Sequence, residues 1–551
     1  MLVKKIFNRI SKFIFSAQHD ILSSALTLAL MFAISRFFGI LRYRTFATYF
    51  TRGEIDIFLV SFRVPDFIFE IVITGALSSA FIPIYIKYNS SSEKLTKAIS
   101  SLVNCIMIIL IFFSFFFVIF TPQLLSILTP GYTKDPLVFD QIVKFSRLLI
   151  LTQLPMLVTG SLLSGIAQAN KIFIATTLSP LAYNLGIILG TVFLAPKFGI
   201  NGPIYGVIVG AFFYLFLQIP ILFKTEFKYS FFMLKKKYVV EFFRLFFPRL
   251  FTVLSSEIDV TIDLMLSSLL QNGSYTIFIF AQNLHLVPVS LVGIAFGQAS
   301  LPYLTEMFKQ NKFEEAKRLV TTSLLQLLFL AIPMSVILIF AQTPIVRIVF
   351  GGKKFDWLGT NYTADTLMFF ALAIPFHTIF YFLVRTFYAM HDTRTPLKIS
   401  FFGVLINSVV SSIAVLYLKL PIWSLSLSFS LAITINVLLL LYFLYKKLGV
   451  ALEEKYSWRH LLTQTTKIYV IAYACAPLPY GLMKLLDPLI LDTSKTLNVL
   501  ILLFISVGAY GSLYMLISWG AGLEEIYFVG GIITKVKTMS KKVTELFIDL
   551  G

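Results

Sequence analysis

Runs of about twenty apolar residues, separated by short polar connections, recur along nearly the whole chain. That is the length at which an α-helix crosses a hydrocarbon core. Scanning for such runs predicts about fourteen helices. Their cores lie near 21–41, 56–86, 98–121, 141–166, 172–195, 202–223, 239–270, 275–304, 317–341, 364–389, 397–417, 421–445, 461–484 and 497–519. Pro65, Pro155, Pro180, Pro248, Pro288 and Pro375 punctuate several of them. Proline frees a carbonyl inside a helix, so kinks are expected where a neighbour or a wet cavity can satisfy it.

Composition turns these runs into a fold class. The 551 residues are 58% hydrophobic and 13% charged. Water cannot solvate a chain of this size so rich in apolar surface, and the solvent must be lipid. The expected fold is all-α and polytopic. No cleavable leader is expected, because the first apolar run is long and no small-residue cleavage pattern follows it. Cys105 and Cys475 both sit in apolar runs, which reads as core thiols and no disulfide framework.

The net charge of +19 would suggest nucleic acid in a soluble protein, but its distribution argues otherwise. Lys4, Lys5, Arg9 and Lys12 precede the first span, and every second connection after it is basic, including Lys224, Lys228 and Lys235 to Lys237. The intervening connections are poor in lysine, apart from Lys353 and Lys354. The alternation fits the positive-inside rule with both termini cytoplasmic and an even number of spans. The basic excess is therefore topological and suits an anionic inner leaflet; no nucleic-acid partner is needed. The tail, 524–551, reads as a basic amphipathic helix on the inner surface.

Weak internal repetition divides the chain. Pro65 in "FRVPDF" and Pro288 in "LHLVPVS" stand 223 residues apart, as do Asn184 and Asn407. This implies two six-helix lobes in the same orientation, 21–224 and 238–447. Two helices are appended over 461–519, and a basic segment, 1–20, precedes the first lobe.

The charges inside these spans are the candidate chemistry. An arginine at membrane depth must face water, protein or an anion. In "SRFFGILRYR", Ser35 and Arg42 share a helix face, and Arg36 lies about 120° from Arg42, so both arginines can border one broad cavity. Arg44 points nearly opposite to Arg42 and suits an interface anchor. On the second helix, Arg63, Asp66 and Glu70 follow one face, with Asp56 about two turns before them. That stripe can serve a ligand or simply bind helices 1 and 2 together. On the seventh, "SSEIDVTID" carries Glu257, Asp259 and Asp263, which need counter-charges, protons or a cation; Arg147, Arg249 and Arg385 are the available partners.

Several motifs resemble one family. "SRFFGILR", "DIFLVSFRVPDF" and "GALSSAFIP" are similar to the first two helices of the MurJ (MviN) lipid II flippases. "TPGY", "GIAQANKIF" and "LSPLAYNLGIILG" resemble their third loop and fourth and fifth helices. "RTFYAMHDTRTPLKIS" resembles the connection between the tenth and eleventh. The resemblance runs along most of 20–447. It implies a fourteen-helix member of the multidrug/oligosaccharidyl-lipid/polysaccharide flippase superfamily, with a central cavity, in the bacterial cytoplasmic membrane. The implied activity is transfer of lipid-linked peptidoglycan precursor from inner to outer leaflet by alternating access, by a monomer, without covalent chemistry or a resident metal. Arg36 and Arg42 align with arginines the family uses for transport. Asp56 matches a family aspartate, Arg63 a basic position, and Asp66 a position often held by asparagine.

The departures matter as well. Phe69 and Thr74 replace an arginine and a glutamate usual in the family. On the eighth helix, Gln282 and Asn283 stand where the family reads acidic-then-arginine. Asn283 retains hydrogen-bonding capacity toward a substrate, and His285 lies two residues on. Some relatives hold sodium between helices 7, 11 and 12, which makes Asp259, Asp263 and Asn407 a candidate cation site, although Ser411 stands where an acidic partner is usual. Sodium coupling and membrane potential are the candidate drives. "HDTRTPLK", from His391, reads as a capping turn into the eleventh helix.

The alternatives are a flippase for another polyprenyl-diphosphate glycan, an exporter of amphipathic drugs, and a membrane prenyl or phosphoglycosyl transferase. First-helix arginines disfavour a cavity for cations. A transferase needs clustered carboxylates for Mg²⁺, and "EIDVTID" has no second cluster beside it. A phosphate-cradling loop of the form GxxxxGK[ST] is absent, which argues against ATP hydrolysis.

Overall fold

The computed structural model describes residues 21–531 apart from 75–76, 90, 171, 173, 226, 450–456 and 490–495. The amino-terminal basic segment and 532–551 of the expected surface helix lie outside the described residues. No strand occurs among them.

Fourteen long helical runs follow one another among the described residues. They are α1 (Ile21–Tyr49), a broken α2 from Arg52 to Tyr88, α3 (Ser92–Leu128) and α4 (Pro136–Ala169). Next come α5 (Ile174–Phe198), α6 (Asn201–Phe223), α7 (Lys236–Ser268), α8 (Ser274–Lys309) and α9 (Phe313–Phe340). The series closes with α10 (Trp357–Ala389), α11 (Arg394–Tyr417), α12 (Trp423–Leu448), α13 (Trp458–Leu486) and α14 (Thr496–Gly520). Eleven are long and apolar enough to cross a membrane by length and composition. The other three, α1, α2 and α7, carry most of the candidate charges.

The broken course of α2 has a physical source. A capping box starts it: the Thr51 hydroxyl accepts from the Glu54 amide at 3.4 Å, and the Glu54 carboxylate accepts from the Thr51 amide at 2.8 Å. After Pro65 the winding loosens into π-turns at Glu70–Thr74 and Leu77–Phe81. The repeat-related Pro288 of α8 is followed by a π-turn at Val289–Ile294. Such turns absorb an extra residue and often sit at functional sites.

The chain gathers into two compact units. Unit 1 runs to Phe280 and takes in Val349–Thr360 and Ser408–Ile422. Unit 2 holds Ala281–Ile348, Asn361–Asn407 and the chain from Trp423 onward. Repeat arithmetic groups α7 with the second lobe, whereas its contacts put it in unit 1. There Glu241 pairs with Lys87 at 2.6 Å and accepts from the Tyr88 hydroxyl at 2.9 Å.

In unit 1, α5 and α6 meet backbone to backbone. A Cβ on Gly186 would lie 2.4 Å from the Gly210 Cα, and one on Gly190 would lie 2.4 Å from the Gly206 Cα. Dispersion between closely approached backbones replaces the hydrophobic drive that lipid cannot supply. In unit 2, α9, α10, α12, α13 and α14 share a core containing Phe329, Phe382, Leu440 and Ile468. The appended helices are tied in by Tyr510, which donates to the Ala472 carbonyl at 3.1 Å, and by Tyr514, which donates to the Phe329 carbonyl at 3.0 Å.

The turn into α11 is a cap, as its sequence suggests. Asp392 accepts from the amides of Arg394 (3.1 Å) and Thr395 (3.0 Å), from the Thr395 hydroxyl (2.6 Å), and from the Lys447 ammonium. Partial burial pushes its pKa up, but the bonds from Lys447 and Thr395 outweigh that and bring it down to about 2.

Candidate functional site

The charges of α1, α2 and α7 meet within unit 1. On α1, Ser35 is half-buried and Arg36 exposed. Arg42 is half-buried, with its guanidinium carbon 4.7 Å from the Tyr43 ring centroid. Its Nε is buried and has no hydrogen-bond partner among the described residues. Arg44 instead donates to the Val349 carbonyl at 3.4 Å, a backbone acceptor 305 positions away.

Arg63 is only 7% exposed and reaches across to α7. It forms an ion pair with Glu257 at 2.8 Å and donates to the Glu257 carbonyl (3.1 Å) and the Thr261 hydroxyl (2.5 Å). The stripe on α2 therefore fastens helices 2 and 7, where the sequence suggested helices 1 and 2. It also supplies Glu257 with a counter-charge. Arg147 is spent on the Val118 carbonyl at 2.9 Å, Arg385 lies over the Tyr388 ring, and the Arg249 side chain is outside the described residues.

Asp66 faces open space one turn further along α2, within electrostatic reach of Arg42, Arg63, Glu70 and Glu257. Tyr183 and Tyr275 border the same group of charges. Three carboxylates thus surround two guanidinium groups. The Nε of Arg63 also lacks an acceptor among the described residues, but Arg63 is ion-paired to Glu257, whereas Arg42 has no ion pair among the described residues.

Asp56 has a different task. It is fully buried and accepts from the Tyr132 hydroxyl, the Gly273 amide and the Thr276 amide, each at 2.7 Å, and from the Thr276 hydroxyl at 2.6 Å. The two amides belong to the start of α8, so Asp56 caps that helix from another one. Gly131 completes the knot: its amide donates to the Ser268 hydroxyl at 3.2 Å, and a Cβ there would lie 1.6 Å from the Ser268 carbonyl oxygen. These bonds occupy the Asp56 carboxylate and tie α2 to the loop after α3 and to the start of α8.

Asp259 is half-buried and Asp263 buried on α7, and both make interactions there. Asn407 is buried in unit 2 and is likewise engaged. Among the described residues, no group of three or more His, Cys, Asp or Glu is placed to hold a metal ion. Asn283, also in unit 2, is half-buried with partners of its own. His285 is buried against Phe370, with Nε2 3.5 Å from Nδ1 of His377. This stack gives it a packing role.

A sequence profile described as "Lipid II flippase MurJ" matches residues 46–498. The chain belongs to the MurJ lipid II flippase family. The profile begins just past Arg42, so the α1 cations stand immediately ahead of it. A probable lipid II flippase MurJ of Rickettsia prowazekii is 27% identical over 401 residues, covering 70% of this chain and 76% of that protein. One from Aquifex aeolicus is 27% identical over 409 residues, covering 73% and 79%. Among solved structures, a lipid II flippase MurJ in an inward closed conformation matches with a TM-score of 0.75 at 24% identity, covering 89% of this chain and 98% of that one. An inward-facing multidrug resistance transporter of the MATE family and MOP superfamily matches at 0.64 with 12% identity, covering 77% and 98%. Both structures speak for the fold.

Several residues of the cluster escaped sequence reasoning. Thr261 stands four positions after Glu257 and so shares its helix face, which was a readable signal. Tyr132 lay inside the "TPGY" motif without a stated role. Nothing local marks Tyr183 as a neighbour of Arg42 and Asp66, or Tyr275 as a neighbour of Arg63 and Asp66, because α1, α2, α5 and α8 are needed to bring these groups together.

Proposed function

We propose that this protein moves lipid II from the inner to the outer leaflet by alternating access, as a transporter with no covalent step. Family membership supports the activity, and Arg42, a guanidinium with a buried Nε lacking an acceptor and no ion pair among the described residues, is the observation that carries the mechanism. A polyprenyl tail can remain in lipid, but a sugar-peptide headgroup and its pyrophosphate cannot cross hydrocarbon unaided. A guanidinium offers phosphate a planar, permanently charged fork. Arg42, bordered by Tyr43, Asp66 and Tyr183, is the donor we assign to the pyrophosphate, with Arg36 and Ser35 beside it on α1. Asp66 orients Arg42 when no substrate is present. Arg63 acts indirectly, by holding α7 to α2.

We further propose that the chain works as a monomer in the bacterial cytoplasmic membrane, with both termini cytoplasmic, as the lysine alternation supports. Membrane potential is a sufficient drive, since each charge moved across it gains about 2.3 kcal/mol per 100 mV. Sodium on Asp259 and Asp263 is the competing drive, and sodium-free buffer separates the two.

The test is translocation in cells depleted of their own lipid II flippase. Expression of this chain should restore outer-leaflet lipid II. Failure by a protein that reaches the membrane in normal amount would reject lipid II and favour another polyprenyl-diphosphate glycan. Gln282 and Asn283, where the family resemblance leads one to expect a cation, already lean toward that second cargo.

A further inference from the structure

The connection from α6 to α7 is extended, yet held at many points. Asn104 of α3 donates to the carbonyls of Ser230 (3.2 Å) and Met233 (3.0 Å), and its own carbonyl oxygen accepts from the Tyr229 hydroxyl. The hydroxyls of Ser100 and Ser101 accept from the amides of Ser230 and Lys235, each at 3.0 Å. These bonds set the depth of the loop. On α3 the exposed apolar side chains begin at Ile108, one turn beyond Asn104, and continue through Ile111, Phe112 and Phe115. The loop therefore lies where the lipid-facing surface starts.

Held there, it turns its apolar residues outward. Phe231 is 74% exposed and Phe232 96%, with Phe223 and Leu234 exposed on either side. Phe232 has a φ of +58°, a left-handed conformation that bulky residues seldom adopt. The bonds on Ser230 and Met233 hold that strain in place, and backbone strain maintained by its surroundings is a pointer to function. Lys224, Lys228, Lys235, Lys236 and Lys237 are all exposed around the rings.

We propose that this loop is a binding surface for anionic phospholipid, with Phe231 and Phe232 entering the acyl boundary and the lysines meeting headgroup phosphates. Aromatic rings beside long cationic side chains, at the edge of an apolar stretch, have the chemistry of a membrane interface. The attraction of lysines to an anionic leaflet is short-ranged, so it operates only at the depth that Asn104 imposes. Assigning the surface to the cytoplasmic leaflet rests on the orientation proposed above; its depth and charge dependence do not.

A nitroxide label at Phe232→Cys tests this in the full-length protein, with Cys105 and Cys475 replaced by alanine. The label is read in nanodiscs of phosphatidylcholine alone and of phosphatidylcholine with phosphatidylglycerol. Collision with oxygen should exceed collision with a water-soluble nickel chelate several-fold in the anionic discs, and less in the neutral ones. Joint replacement of Lys235, Lys236 and Lys237 by glutamine should erase that difference between lipids. A second label at Phe116, on the lipid-facing side of α3, should stay oxygen-rich throughout and so certify the fold. Free access of nickel to position 232 while position 116 stays in lipid would overturn the proposal and point to a soluble partner. Equal depth in both lipids would overturn the headgroup contact. If the triple variant loses the Phe116 signal, the comparison between lipids in the parent decides alone.

Discussion

Replacing Asp56 by alanine should loosen the junction of α2, the loop after α3, and the start of α8. The carboxylate is fully buried and accepts from Tyr132, Gly273 and both donors of Thr276. In Asp56→Ala the Thr276 hydroxyl keeps the Arg52 carbonyl, 3.0 Å away, as an alternative acceptor. The Tyr132 hydroxyl and the amides of Gly273 and Thr276 keep none. A buried donor left unpaired costs about 1–3 kcal/mol, so three amount to roughly 3–5 kcal/mol once some water enters. Asp56→Asn should be nearly as damaging, because its NH₂ group would face donors. Hydrogen exchange followed by mass spectrometry reads the effect at Gly273 and Thr276. A local loss of about 3 kcal/mol accelerates their exchange on the order of 100-fold. Exchange unchanged within about threefold would mean that the carboxylate does not hold this junction, and the reasoning would fail.

Glu257→Gln leaves Arg63 buried beside a neutral partner. It should lower thermal stability in detergent by about 2–4 kcal/mol, and Arg63→Met, which removes the charge, should restore part of that loss. Gly206→Leu must separate α5 from α6 and should abolish accumulation of folded protein; Gly199→Leu, with no atom within 4 Å of its Cβ, should be limited to the strain of its φ of +55°. Asp392 has a depressed folded pKa, so its contribution is fully present above about pH 4 and is lost as pH falls toward 2. Asp392→Ala should therefore cost about 1 kcal/mol at neutral pH, and that gap in unfolding midpoint should close in strong acid.

Periodicity alone carried the fold a long way, because a membrane span must be about twenty apolar residues and little else has that pattern. Kinks were expected at Pro65 and Pro288, and π-turns follow both, in α2 and α8. The repeat did not anticipate that α7 would pack with unit 1, since that depends on Arg63 meeting Glu257 and on Lys87 meeting Glu241. A helix-face argument resolves neighbours three or four positions apart, not partners 194 positions apart. The same limit explains Asp56. Its burial was written in a tyrosine of one loop and two amides of another, and no local pattern records those. Arg42 was legible for the opposite reason. An arginine in a largely apolar run, with no neighbour in sequence to neutralise it, is conspicuous, and in the structure its Nε still has no acceptor among the described residues.

Translocation of lipid II by the parent and by Arg42→Ala, compared at matched membrane abundance in flippase-depleted cells, tests the central claim. Rescue by the parent and loss of at least about tenfold in rate for the variant is the expected result, corresponding to one or more charge-assisted phosphate contacts. Equal rescue by both would contradict it, and would make Arg42 a structural cation with no role in carrying the pyrophosphate.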